Sequence, residues 1–141
     1  MDAVSLIEVI EHIQPSQIER VVENIFGFMR PRFVAMTTPN RDFNRFFLAL
    51  RENGFRDDDH KFEFSQEEFE QFSRGICSAY GYEVAFEATY FKGGFADIIR
   101  NSFSEAEVGS VPLSQIAFFR KKLCDTDNEK VARVAYKADE E

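Results

Sequence analysis

The chain has 141 residues, of which 44% are hydrophobic, and it carries a formal net charge of −8. This length allows one domain that buries roughly two-thirds of its unfolded surface. The negative charge argues against loose, non-specific nucleic-acid binding, although it does not exclude a nucleic-acid end held in a small pocket. No apolar stretch approaches the ~20 residues of a membrane span, no leader pattern is present, and the two cysteines lack metal or redox spacing. We therefore predict a cytoplasmic protein without a membrane partner.

The first part of the chain predicts a helix between two strands. The helix is expected to start at Ser16, because Glu19 follows three residues on as in a capping box, and Pro31 should end it. Apolar residues recur at helical spacing between these points. In chain order the predicted elements are a short buried strand at Ala3 to Ile7 with residues 8–13 as its exit, the helix from Pro15-Ser16, and a strand at Phe33 to Thr37 that closes in a turn at Pro39-Asn40.

The remainder predicts a second helix and a final pair of strands. A capping box formed by Ser65 and Glu68 should open the helix, and Gly81 should end it in the C′ position. Residues 41–61 are polar and irregular, with one helical turn expected around Asn44 to Leu50. The predicted strands are residues 82–91, with Val84, Phe86 and Ala88 on one face, and a last strand from Ser114, separated by an excursion over residues 92–114.

The order of these elements predicts an α/β fold. Strands that alternate with helices form a parallel sheet, and a last strand pair joined by a long loop commonly adds an antiparallel edge. We therefore expect the second half of a doubly wound sheet with an antiparallel last strand. The predicted boundaries are a folded part at residues 1–124 and a charged, disordered tail at residues 125–141.

The opening stretch contains a candidate metal site. Glu8, Glu11 and His12 are spaced i, i+3 and i+4, so on a helical turn they share one face. Carboxylate oxygens with an imidazole nitrogen suit Mg²⁺ or Mn²⁺, and the cation would compensate two acids in apolar surroundings. On spacing alone, a solvated acidic helix face is the more common meaning of this pattern.

The second histidine of the chain also lies beside acids. His60 follows Asp57 to Asp59 and precedes an apolar pair and the capped helix. A polar loop with an incidental histidine is the alternative. Ligand sites in open α/β sheets form at strand and loop ends, where both histidines are expected.

Four segments together resemble the family of small-RNA 3′-terminal 2′-O-methyltransferases of the Hua-enhancer type. They are "IEVIEH", "TTPNRDFN", "FRDDDHKFEFSQEEF" and "SQIAFFRK", in that order and at family-like separations, and the resemblance runs from about Asp2 to Lys121. It implies a Rossmann-like S-adenosylmethionine-dependent methyltransferase sheet. It also implies that Glu8, Glu11, His12 and His60 are the ligands of Mg²⁺ or Mn²⁺. Phe64 stands where the family more often has Trp, which keeps an aromatic ring.

The resemblance implies a reaction and its partners. The metal would contact the 2′- and 3′-hydroxyls of a small-RNA 3′ end and lower the pKa of the 2′-hydroxyl, which attacks the methyl group of S-adenosylmethionine. An internal nucleotide has no free 3′-hydroxyl and would not react. Arg56 is a candidate for contacting a phosphate, with a surface ion pair to Asp57 or Asp58 as the alternative. An Argonaute- or Piwi-type protein is the expected carrier of the RNA.

The family's donor-binding features are not found in this sequence. Its glycine-rich turn precedes the E-x-x-E-H motif, whereas the seven glycines here include no G-x-G. We therefore expect no donor site in this chain, and an unpaired apolar edge at Ala3 to Ile7. Two alternatives to the enzyme remain: a non-catalytic relic that binds RNA 3′ ends or a partner protein, and a metal-dependent hydrolase with the same ligands.

Overall fold

The structure is a computed structural model that describes residues 1–93 and 98–123. Four strands and three α-helices build this part of the chain. Their bounds are β1 Ala3–Ile7, α1 Pro15–Val22, β2 Phe33–Pro39, α2 Gln66–Tyr80, β3 Tyr82–Tyr90, α3 Glu105–Ser110 and β4 Pro112–Lys121. The predicted tail at residues 125–141 lies outside the described residues, so its boundary stays a prediction.

The strands form one open mixed sheet in the order β1-β2-β4-β3. β1 and β2 are parallel, while β4 is antiparallel to both β2 and β3. The α/β class and the antiparallel last strand are thus confirmed. The expected antiparallel edge is formed by the last strand pair: β4 lies between β2 and β3 and exchanges backbone hydrogen bonds with both, and β3 is the outermost strand.

The first helix differs from its predicted start and is irregular. Its N-cap is Gln14, with Pro15 in the first turn, and no side chain caps it, so the predicted capping box at Ser16 is wrong. Proline is suited to the first helical turn because the amide hydrogen that it lacks has no partner there. After Val22 the helix continues as a π-helix, Glu23–Met29, which ends at Arg30 in the left-handed conformation.

The second helix agrees with the sequence prediction at both ends. The Ser65 hydroxyl accepts from the Glu68 amide, and the Glu68 carboxylate accepts in return from the Ser65 amide. Gly81 ends the helix with φ of +76°, a conformation that glycine adopts without a Cβ clash. In β3, Val84, Phe86 and Ala88 alternate with exposed residues, as predicted.

The main core lies on one face of the sheet. Both helical segments pack there against alternate residues of the central strands. The fully or almost fully buried members include Ile10, Phe26, Val34, Met36, Phe69, Tyr82, Ala117 and Phe119. On the opposite face Phe33 and Phe118 remain 49% and 48% exposed, and Ile7 at the end of edge strand β1 is 55% exposed. Within residues 1–93 and 98–123, the outer side of β1 has no strand partner.

A second apolar cluster supports the loops beyond β2 and β3. It is centred on Phe43, Phe46, Ile99 and Val108. The helical turn that was expected around Asn44 to Leu50 lies earlier, as a 3₁₀ segment at Arg41–Phe46. Asn40 caps this segment by accepting from the Asp42 amide, which explains the shift. None of the helices found in residues 1–93 and 98–123 has the length and hydropathy needed to span a membrane.

Candidate metal centre

The turn after β1 places the first acidic cluster at the carboxyl edge of the sheet. Glu8 has φ of +52°, and its amide donates to both the carbonyl and the hydroxyl of Thr37, each at 3.1 Å. A 3₁₀ turn, Ile10–His12, follows. The buried Ile10 anchors this turn in the core. The predicted α-helical face is therefore wrong in its geometry, although the exit of the strand does carry the acids.

Glu11 is the buried acid of this turn. Its side chain is fully buried, and its Oε2 accepts from the Thr38 hydroxyl at 3.0 Å. Its Oε1 has no hydrogen-bond partner among the described residues. Burial raises the pKa of Glu11, and the nearby charge of Glu8 raises it further. A carboxylate oxygen that is buried without a donor needs a positive charge beside it to be stable in its ionised form.

Both histidines are oriented by carboxylates through the same ring atom. His12 Nδ1 lies 2.8 Å from Asp59 Oδ2, and His60 Nδ1 lies 2.7 Å from Glu63 Oε2. A hydrogen bond from Nδ1–H to a carboxylate leaves the other ring nitrogen, Nε2, as an acceptor that can bind a metal. The hydrogen bond from His12 holds the pKa of Asp59 below its ordinary range.

Three of the four predicted ligands converge. Glu11, His12 and His60 each offer a ligand atom, and these atoms lie within 4.8 Å of one another. The two imidazole rings meet edge to face with centroids 4.8 Å apart. The loop that carries His60 is fixed to the turn by the Lys61 amide, which donates to the Glu11 carbonyl at 2.7 Å.

Glu8 lies outside that group of three. Its Oε1 instead accepts from the Ser114 hydroxyl on β4 at 2.8 Å, and the residue is exposed. It is nevertheless close enough to Glu11 to influence the pKa of that carboxyl. Glu8 therefore adds negative charge to the site, and its role as a ligand stays a prediction.

Arg56 is directed into the protein. Its Nε donates to Asn44 Oδ1 at 2.6 Å, and its two terminal nitrogens donate to the carbonyls of Leu113 and Asn40. Burial lowers its pKa, an effect that the charge of Glu63 opposes. These contacts favour a structural role for Arg56, and phosphate binding by this residue stays a prediction without support from the geometry.

Sequence reasoning missed the residues that hold the histidines. The segment that contains Glu63 predicts no separate role for this residue, and Asp59 belongs to a run of acids that is equally typical of a polar loop. The spacing of His60 and Glu63, i and i+3, was the available signal, since such a pair can meet within one turn. Nothing in the sequence pairs His12 with Asp59, 47 residues away.

Curated relatives resemble this chain over most of its length. A small RNA 2′-O-methyltransferase of Tetrahymena thermophila is 41% identical over 137 residues, which is 96% of this chain and 29% of that protein. A small RNA 2′-O-methyltransferase of Drosophila melanogaster is 42% identical over 125 residues, which is 86% of this chain and 29% of that protein. The chain thus spans less than a third of the length of these relatives. No protein-family model matches it.

A solved structure shares the fold. The crystal structure of small RNA methyltransferase HEN1 superposes with a TM-score of 0.66 at 30% sequence identity, covering 86% of this chain and 14% of that one. The sheet described above is therefore an arrangement found in such methyltransferases.

Proposed function

We propose that this chain, which is similar in sequence and in fold to small RNA 2′-O-methyltransferases, forms the metal-binding part of such an enzyme. In this proposal the enzyme methylates the 2′-hydroxyl of the 3′-terminal nucleotide of a small RNA, with S-adenosylmethionine as the donor. The observation that carries the proposal is the convergence of Glu11, His12 and His60 within 4.8 Å at the carboxyl edge of the sheet.

The residues at this edge suit a divalent cation. The unpartnered Oε1 of Glu11 is the strongest indication, because a buried anionic oxygen lacks any donor in the described part of the chain. The two imidazoles, held through Nδ1, would each offer Nε2 as a nitrogen ligand. Glu8 supplies a second carboxylate nearby. When bound, Mg²⁺ or Mn²⁺ would supply a Lewis acid that lowers the pKa of a coordinated hydroxyl.

The chain's own residues would select and orient the RNA end. Glu11 and His60 are buried, and hydrogen bonds fix their orientation. His12 is partly exposed and lies on the side of the site that solvent reaches. A site that recognises both ribose hydroxyls can accept only a free 3′ end, because an internal nucleotide carries a phosphodiester on its 3′ oxygen. Such rigid placement of the reacting groups supplies part of the rate enhancement.

The proposal is tested first by binding. We expect about one Mn²⁺ ion to bind per 141-residue chain. His60→Ala should weaken this binding by more than about 10-fold, since loss of a residue that only supports a ligand already weakens metal binding about 10–100-fold. Glu19→Gln, an exposed substitution on α1, serves as the control. Unchanged Mn²⁺ binding by His60→Ala would remove His60 from the ligand set.

Methyl transfer is tested in a longer protein. The chain is joined to the remainder of the Tetrahymena relative in the order of that sequence, and transfer to a short RNA is measured with titrated Mn²⁺. We expect transfer to a 3′ end with both hydroxyls, little transfer to a 3′-deoxy end, and loss of transfer with His60→Ala. The 141-residue chain alone is expected to be inactive. RNA and metal binding without any transfer by the joined protein would instead favour a non-catalytic role.

An Argonaute- or Piwi-type carrier of the RNA and a cytoplasmic location complete the proposal. The family resemblance supports the carrier, and co-purification of the joined protein with a tagged carrier protein is its test.

A further inference from the structure

The least expected feature around the candidate metal centre is the burial of Glu63. Its side chain has no exposed surface, yet it lies in the loop that precedes α2. A carboxylate in such a position is destabilising unless hydrogen bonds and positive charge compensate it. The contacts that compensate the buried charge therefore indicate the role of Glu63.

Three donors converge on this carboxylate. His60 Nδ1 lies 2.7 Å and the Arg56 amide 3.2 Å from Oε2, while the Asn44 side-chain amide donates to Oε1 at 2.7 Å. The Arg56 guanidinium is also near and is held by Asn44 Oδ1. The charge of Glu63 is thereby balanced within the protein, without any need for solvent or a ligand.

We propose that Glu63 is a positioning residue that fixes the tautomer and the orientation of His60. An ionised carboxylate can only accept hydrogen bonds, so a His60 ring with a single proton carries it on Nδ1 and leaves the lone pair of Nε2 available to a cation. The inference rests on the proposed function, because it is the cation of that site that Nε2 would bind.

The rest of the cradle makes this arrangement difficult to change. Asn44 is committed on both sides, since its amide nitrogen donates to Glu63 while its oxygen accepts from Arg56. In a Glu63→Gln variant, one oxygen becomes an NH₂ donor. If that group faces Asn44, two donors meet; if it faces His60, the imidazole must accept at Nδ1 and move its proton to Nε2. The second outcome removes the lone pair from the atom that binds the metal.

His12 provides an internal comparison. Its partner Asp59 is 66% exposed and also accepts from Lys61. Water can replace Asp59 as the acceptor, so an Asp59→Asn substitution should have a smaller effect than Glu63→Gln. The two histidines thus share a pattern of contacts but differ in how strongly each is held.

The tautomers can be measured directly, because the chain contains only two histidines. Long-range ¹H–¹⁵N spectra of the metal-free 141-residue chain, recorded under conditions in which each ring carries a single proton, should show the His60 proton on Nδ1. In Glu63→Gln the proton should move wholly or partly to Nε2, with His12 unchanged. Glu52→Gln, an exposed acid of the same loop, is the control and should leave both rings as in the wild type.

Binding of Mn²⁺ alone, measured by electron paramagnetic resonance, is the second readout. We expect Glu63→Gln to bind about 10–100-fold more weakly than the wild type. If His60→Ala weakens binding but Glu63→Gln does not, the inference is wrong while the proposed function stands. If neither weakens binding, the proposed metal site itself is wrong. Should Glu63→Gln fail to fold, the wild-type spectrum still decides, because a His60 proton on Nε2 would overturn the inference.

Discussion

At the scale of single residues, the site depends on two acidic residues with an energetically unfavourable conformation or environment. Glu8 has a left-handed backbone conformation that costs an L-residue roughly 1–2 kcal/mol, and two hydrogen bonds from its amide to Thr37 hold it there. Glu11 is buried with an unpartnered oxygen. Both features have the same consequence, which is that acidic side chains lie at the edge where β1 and β2 end.

Glu11→Gln should separate metal binding from folding. Because burial raises the pKa of Glu11 above its ordinary 4.5, the stability that this group contributes is complete below pH 4.5 and is lost as the pH rises through the raised value. The neutral amide avoids this loss and can still accept from Thr38. Without metal at pH 7, we expect the variant to be at least as stable as the wild type in urea unfolding, with a smaller difference at pH 4.

The same variant should lose metal affinity. We expect Mn²⁺ binding to fall by more than about 10-fold, since losing an outer-shell partner alone costs that much. A Gln variant that is markedly less stable than the wild type without metal, or that binds Mn²⁺ equally well, would contradict this account of the buried carboxylate.

At the scale of elements, α2 shows how local sequence sets boundaries. Its capping box and its left-handed Gly81 satisfy backbone groups at its two ends, using residues within one turn. The first helix has no side-chain cap, and its predicted N-cap, Ser16, lies two residues after the observed one, Gln14. Its local start signal is Pro15 in the first turn, which needs no partner for an amide hydrogen.

Alanine substitutions at two glycines, Gly75 within α2 and Gly81 at its C-terminal end, should change the free energy of unfolding in opposite directions. Gly81→Ala forces a Cβ into a residue with φ of +76° and should cost about 1 kcal/mol or more of the free energy of unfolding. Gly75→Ala lies in the helix interior and should stabilise by about 0.5–1 kcal/mol. Neither Cβ would meet another atom within 4 Å, so packing does not contribute. Urea unfolding of both variants tests the pair; an equal sign for both would contradict it.

At the scale of the whole molecule, the sheet is covered on one face only within the described residues. The helices α1 and α2 pack on the face of Phe119, whereas Phe118, its neighbour on β4, points to the opposite face and is 48% exposed. Together with Phe33 and the unpaired edge of β1, it forms an apolar surface that favours association.

Substitutions at these neighbouring phenylalanines should differ in kind. Phe118→Ala is expected to reduce self-association of the 141-residue chain in sedimentation velocity while changing the free energy of unfolding little. Phe119→Ala should cost about 3–5 kcal/mol, because it removes a ring from the packed core. Self-association that persists unchanged in Phe118→Ala would show that this face is not the one that associates.

The sequence by itself determined the elements with strong local signals and the residue types of the site. The class of fold follows from the order of the elements along the chain. The capped helix α2, the alternation in β3 and the acids beside two histidines follow from spacing within a few residues. Such features depend on hydrogen bonds and faces that neighbours in the chain form by themselves.

Only the tertiary structure decided which of these residues meet. The insertion of β4 between β2 and β3, the pairing of His12 with Asp59, and the direction of Arg56 into the protein all join segments far apart in the chain. Glu8 and Glu11 are three residues apart, yet Glu8, which is itself in the left-handed conformation, contacts Ser114, whereas Glu11 in the following 3₁₀ turn is buried. Packing and hydrogen bonding between distant segments determine these contacts. The spacing of residues in the sequence predicts only which side chains can meet within one turn.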